Sequence, residues 1–86
     1  MQYSPYLYLM ENAVPNSKIL IEVVQTPMPF GKYKGTLISD IPVSYLEWMH
    51  NKGMPPGKLG MLLSTAFEIK SNGLDAILFK IKRSLS

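Results

Sequence analysis

Met28-Pro29-Phe30-Gly31-Lys32-Tyr33-Lys34-Gly35 is the stretch on which the reading of this chain turns. Two glycines four apart bracket Lys-Tyr-Lys. Glycine reaches backbone dihedrals closed to other residues and lets a ligand or another backbone approach closely. The segment therefore reads as a tight turn with two cations and an aromatic at its tip. With the return Thr36-Leu37-Ile38 it predicts a hairpin-like ribbon over about 28–38. Two short strands are unstable alone in water, so such a ribbon must lean on helices.

Outward from the turn, the helices announce themselves by period. Upstream, Asn16 or Ser17 caps the run from Lys18 to Val24, where Ile19, Leu20, Val23 and Val24 share one helical face. The β-branched content of that run argues for a strand instead; the helix is the reading adopted. Thr26-Pro27-Met28-Pro29 ends it, because a residue before proline is pushed out of the helical region. Residues 1–16 match no clean period and read as an N-terminal arm, with Met10 an alternative native start.

Downstream, Pro42 is expected at the first helical position, where its missing donor costs nothing. Ile41, Tyr45, Trp48 and Met49 then recur at helical spacing, with Leu46 beside them, and Gly53 supplies a left-handed stop. After the stiff Met54-Pro55-Pro56, a helix from Gly57 to about Ser71 presents Leu59, Leu62, Leu63, Ala66 and Phe67. Asn72-Gly73 stops it, and a last helix to about Leu85 carries Leu74, Ile77, Leu78, Ile81 and Leu85 on one stripe. The expected fold is mainly α with a short β-hairpin (α+β). Three to four short helices over residues 17–86 form one domain against a two-stranded ribbon, each resting on its sequence neighbour.

Composition bounds the function classes. Of 86 residues, 47% are hydrophobic and 17% charged, below the roughly 25% usual for globular domains. That argues against disorder and for a partner covering some apolar surface. Without cysteine there are no disulfides and no cysteine zinc sites, and a cytoplasmic location is expected. No apolar run is long enough to span a bilayer. Pro5 interrupts an N-terminal stretch that lacks a basic lead, so no signal peptide is expected. A net charge of +3 permits nucleic-acid binding without demanding it.

The spaced motifs have a family likeness. Residues 28–35, then Asp40-Ile-Pro42, Tyr45-Leu46-x-Trp48, Gly53-Met-Pro, Leu59-Gly60 and Glu68-Ile-Lys-x-Asn72-Gly73-Leu74, occur in a set order. Over residues 28 to about 78 the chain resembles a small bacterial family of unknown function labelled "putative quorum-sensing-regulated virulence factor". The Phe-Gly-Lys-Tyr-Lys-Gly element followed by Tyr-Leu-x-Trp is also similar, over a shorter span, to the C-terminal domain of exodeoxyribonuclease X-like proteins. That second resemblance implies contact with nucleic acid and carries no catalytic residues. Neither resemblance supplies a mechanism.

Each candidate site has a functional and a plainer reading. In the turn, Lys32 and Lys34 suit phosphate, backbone N–H groups at Gly31 and Gly35 suit an anion, and Tyr33 suits a base. The plainer reading gives the glycines to geometry, the lysines to solubility and the aromatics to packing. Gly53 to Leu59 is no P-loop, being one residue short and lacking Ser/Thr after Lys58. Gly57-Lys58 at a helix start suits an anion but is more simply a cap. Glu47 and His50 have metal spacing on a helix, yet the chain's single histidine makes a surface pair the better reading. Trp48 reads as a core anchor, and Lys80, Lys82 and Arg83 as a solvated helix end. The carboxylates show no paired acid–base spacing.

The expected function is a non-catalytic accessory module, with no cofactor or metal, that binds DNA or RNA through Gly31, Lys32, Tyr33, Lys34 and Gly35. The alternative is a protein-interaction or self-associating regulatory module using Tyr3, Tyr6, Tyr8, Met54 and Phe79.

Overall fold

A computed structural model describes residues 17–85; the expected arm at 1–16, with Tyr3, Tyr6, Tyr8 and Met10, lies outside the described residues. Four α-helices follow in order: α1 (Ser17–Gln25), α2 (Val43–Lys52), α3 (Gly57–Ser71) and α4 (Asp75–Leu85), with a 3-10 turn at Ile38–Asp40 between α1 and α2. The ambiguous run 18–24 is helical. It buries Leu20, Val23 and Val24 and leaves Lys18, Ile21 and Gln25 outside, the i, i+3, i+4 pattern that helical burial requires.

The hairpin is absent: among the described residues there is no strand, only an isolated antiparallel bridge between Pro27 and Leu37. Two hydrogen bonds make it, Met28 N to Thr36 O at 2.8 Å and Ile38 N to Thr26 O at 3.0 Å. The ladder does not continue because Gly35 N turns back onto Met28 O at 2.8 Å, closing the loop at once. Within it Lys34 N bonds Gly31 O at 3.1 Å and Thr36 N bonds Tyr33 O at 2.9 Å, which is turn geometry rather than strand pairing. Gly31 and Gly35 hold φ of 81° and 88°, and Leu37 leads directly into the 3-10 turn. A glycine pair that reverses the chain twice in five residues leaves no extended arm to pair.

Helix α3 is the centre of the molecule. It packs against α1, α2 and the 3-10 turn, while α1 packs in addition against α4. The α2–α3 pair meets the neighbour-packing expectation, but α4 rests chiefly on α1, at the far end of the described chain, rather than on its sequence neighbour α3. The turn before α4 accounts for its direction. Gly73 N bonds Lys70 O at 3.1 Å and Leu74 N bonds Ile69 O at 3.0 Å, a Schellman closure with Gly73 at φ 72°. One core results, in which Leu20, Val23 and Val24 meet Met28, Ile38, Ile41, Leu46, Leu63, Ile69 and Leu78.

Trp48 does not anchor that core; it is 53% exposed. Leu46 and Met49 take the buried face of α2. At about 100° per residue, Tyr45 then lies about 70° from the centre of that face and Trp48 about 130° from it. Tyr45 is accordingly half-buried and Trp48 points away. Its indole fluorescence is expected at the long-wavelength position of hydrated tryptophan, with iodide quenching the folded and urea-unfolded protein alike. A blue-shifted, protected emission would contradict this placement.

Candidate nucleic-acid interface

Phe30, Lys32 and Lys34 are exposed around the glycine turn, and Tyr33 between them is half-buried against the core. Tyr33 meets Tyr45 edge-on, ring centroids 4.8 Å apart at 68°. Tyr45 in turn stacks on Trp48 at 5.5 Å and 29°. These form an aromatic row running from the turn, across Tyr45, to the exposed indole. Edge-to-face and offset contacts of this kind suit the ring quadrupoles. Lys32 Nζ lies 5.6 Å from the Tyr33 ring centroid, a cation–π distance.

The sequence-predicted residues Gly31, Lys32, Tyr33, Lys34 and Gly35 are therefore together, but their roles shift. Tyr33 has one edge of its ring against Tyr45 and Lys32 close by, so Trp48 offers the larger open aromatic surface. Gly31 is required by its φ of 81°, since an added Cβ would only come into ordinary contact with the Tyr45 hydroxyl at 3.5 Å. Sequence reasoning missed Trp48 as surface; the Leu46/Met49 register was the available signal.

The remaining cations divide. Lys58 pairs with Glu22 at 2.8 Å, tying α3 to α1, and Lys82 pairs with Asp40 at 2.8 Å. The lysine at α3's start is thus engaged by a carboxylate, against an anion role for Gly57-Lys58. Lys70 Nζ donates to Ser39 O at 2.9 Å and also to Ile41 O, and burial holds its ammonium below the ordinary lysine range, partly offset by Asp75 and Asp40. His50 stacks on Phe67 at 4.9 Å rather than joining Glu47, and no group of three or more metal-binding side chains occurs among the described residues. Of the residues named for protein interaction, Phe79 is 60% exposed while Met54 packs against the core. No helix among the described residues is long and apolar enough to cross a membrane.

The family profile described as "Putative quorum-sensing-regulated virulence factor" matches residues 16–81. "Uncharacterized protein YpeB" of Escherichia coli (strain K12) is 46% identical over 67 residues, covering 77% of this chain and 93% of that protein. Its counterpart in Escherichia coli O157:H7 matches to the same extent, 46% over 67 residues. No solved structure matches. The similarity to exodeoxyribonuclease X-like proteins finds no support in these matches.

Proposed function

The chain belongs to the family described as putative quorum-sensing-regulated virulence factor, whose function is unknown, and we propose that it is a non-catalytic module binding single-stranded nucleic acid. The observation that carries the reading is the row from Lys32 and Tyr33 through Tyr45 to the exposed Trp48. Single strands are held by cations tracking the phosphates and by aromatic faces on which unpaired bases stack. Here Lys32 and Lys34 supply the cations, Gly31 and Gly35 shape the turn that presents them, and Trp48 supplies the face. Tyr33 and Tyr45 are the support beneath it.

Titration with an oligonucleotide, followed by Trp48 fluorescence at two salt concentrations, tests this directly. Stacking is expected to quench the indole, and affinity should fall as salt rises, each phosphate contact adding about 0.7 to the logarithmic slope. The Lys32→Ala/Lys34→Ala double substitution should flatten that slope, and Trp48→Ala, followed by the anisotropy of a dye-labelled oligonucleotide, should weaken binding about tenfold or more. Affinity indifferent to both salt and the double substitution refutes the proposal. A stable dimer in sedimentation, with no oligonucleotide response, would favour self-association through exposed apolar residues such as Phe79.

A further inference from the structure

The aromatic row that starts at the glycine turn continues along α2, and a lysine stands at its far end. Tyr45, Trp48 and Lys52 occupy positions i, i+3 and i+7 of that helix. At about 100° per residue, Lys52 lies about 20° round the helix from Tyr45 and about 40° from Trp48. All three share one flank, with Lys52 about 6 Å further along the axis than the indole. Glu47, the only carboxylate of α2, lies about 160° from Tyr45, across the helix. His50 is on that other side as well, stacked on Phe67 of α3.

The lysines of the molecule are not equivalent. Lys58 and Lys82 are neutralised by Glu22 and Asp40, and Lys70 is committed to the carbonyls of Ser39 and Ile41. Lys52 is exposed and, among the described residues, is in no hydrogen bond or ion pair, as is true of Lys32 and Lys34 at the turn. The helix dipole favours a cation in the last turn whichever way it faces. It does not choose the flank. Here the cation falls on the flank that carries Tyr45 and Trp48 and is turned away from the helix's carboxylate.

From this placement we infer that Lys52 is a further nucleic-acid-binding residue and makes the site two-ended, an inference that rests on the single-strand reading. A strand stacked on Trp48 has its backbone held by Lys32 and Lys34 before the indole and by Lys52 beyond it. Cations that track the backbone on either side of a stacking face are what such a strand requires. The arrangement sets a minimum ligand. A mononucleotide carries phosphate on one side of its base and engages one end, whereas an oligonucleotide with phosphates on both sides of the stacked base engages both.

Lys52→Gln is compared with Lys80→Gln, which removes the same charge from α4. Both lysines are exposed, so neither substitution opens the core. The probes are a dye-labelled octathymidylate, followed by anisotropy at several salt concentrations, and thymidine 5′-monophosphate, followed by Trp48 quenching. Lys52→Gln is expected to weaken the octanucleotide about fivefold and to lower the logarithmic salt slope by about 0.7, while the mononucleotide binds about as it does to the unaltered protein. Lys80→Gln should leave both probes unchanged. An unaltered slope on Lys52→Gln, or the same loss on Lys80→Gln, overturns the inference, and so do equal losses for the two probes. In each of those cases the Lys32→Ala/Lys34→Ala result still decides single-strand binding on its own. No salt-dependent binding of the octanucleotide to the unaltered protein overturns both.

Discussion

Replacing Gly60 by alanine is expected to destabilise the fold by about 2 kcal/mol, although helix propensity alone favours alanine by about 1 kcal/mol. Gly60 is buried in the first turns of α3, where the chain arriving from α2 lies across it. A Cβ added there would fall on the carbonyl oxygen of Pro55, with Pro55 C at 3.0 Å. A backbone carbonyl cannot swing aside as a side-chain tip does, and prolines at 55 and 56 stiffen the linker that carries it. Either the linker lifts or α3 tilts, and both disturb the α2–α3 contact. For a domain of this size, total stability is on the order of 5–10 kcal/mol, so the loss is large. Urea unfolding measured by circular dichroism gives the answer, with Ser64→Ala on the exposed side of the same helix as control. A Gly60→Ala protein stabilised as propensity dictates would show that the close approach is not a constraint.

Lys70→Met should cost about 2 kcal/mol, because it keeps most of the stem volume but removes two charge-assisted hydrogen bonds. Those bonds, to Ser39 O and Ile41 O, fasten the end of α3 to the 3-10 turn, and their loss leaves two part-buried carbonyls without this donor. The pH dependence has a definite sign. Burial lowers the Lys70 value in the folded state below 10.5, so the native protein releases this proton first as pH rises. Between the lowered value and 10.5 the unfolded chain binds more protons, and this group makes stability rise with pH through that window. As pH falls back through the native value, the contribution is lost. Wild-type protein should therefore gain on Lys70→Met across the alkaline window in parallel urea titrations. A gap that is negligible at neutral pH, or that narrows with rising pH, contradicts the assigned environment.

Much of the helical plan was legible because local chemistry wrote it twice. At the end of α3, Asn72-Gly73 carries both the stop signal and the left-handed dihedral that a Schellman closure needs, and the helix ends there. In α1, the i, i+3, i+4 apolar spacing outweighed the β-branched residues, since burial against α3 and α4 rewards the face rather than the intrinsic preference. The turn at 31–35 is legible from its two glycines, but the ribbon expected around it does not form. A run of residues does not reveal whether its flanks will extend, and here the bond from Gly35 N to Met28 O folds them shut.

The candidate interface was half legible. The glycine-bracketed lysines are visible in the chain as written, and the family likeness over most of it is borne out by the profile match to residues 16–81. For Trp48, aromatic bulk predicts burial on average, while its angle from Leu46 and Met49 turns it outward in fact. The hold of Lys70 on the 3-10 turn left no trace in the sequence, since Ser39 and Ile41 lie 31 and 29 residues from it.

By itself the sequence determined where the four helices start and stop, which side of most of them is apolar, and where the chain must reverse through glycine. Tertiary structure alone decided that α4 rests on α1, that the indole faces outward, and that a lysine near the end of α3 holds the backbone carbonyls of Ser39 and Ile41. The division has a physical cause. Helix ends and turns are fixed by hydrogen bonds and dihedrals among residues within about five positions. Partner choice and exposure depend on how finite apolar faces share one core, and that is settled only when all of them are in place together.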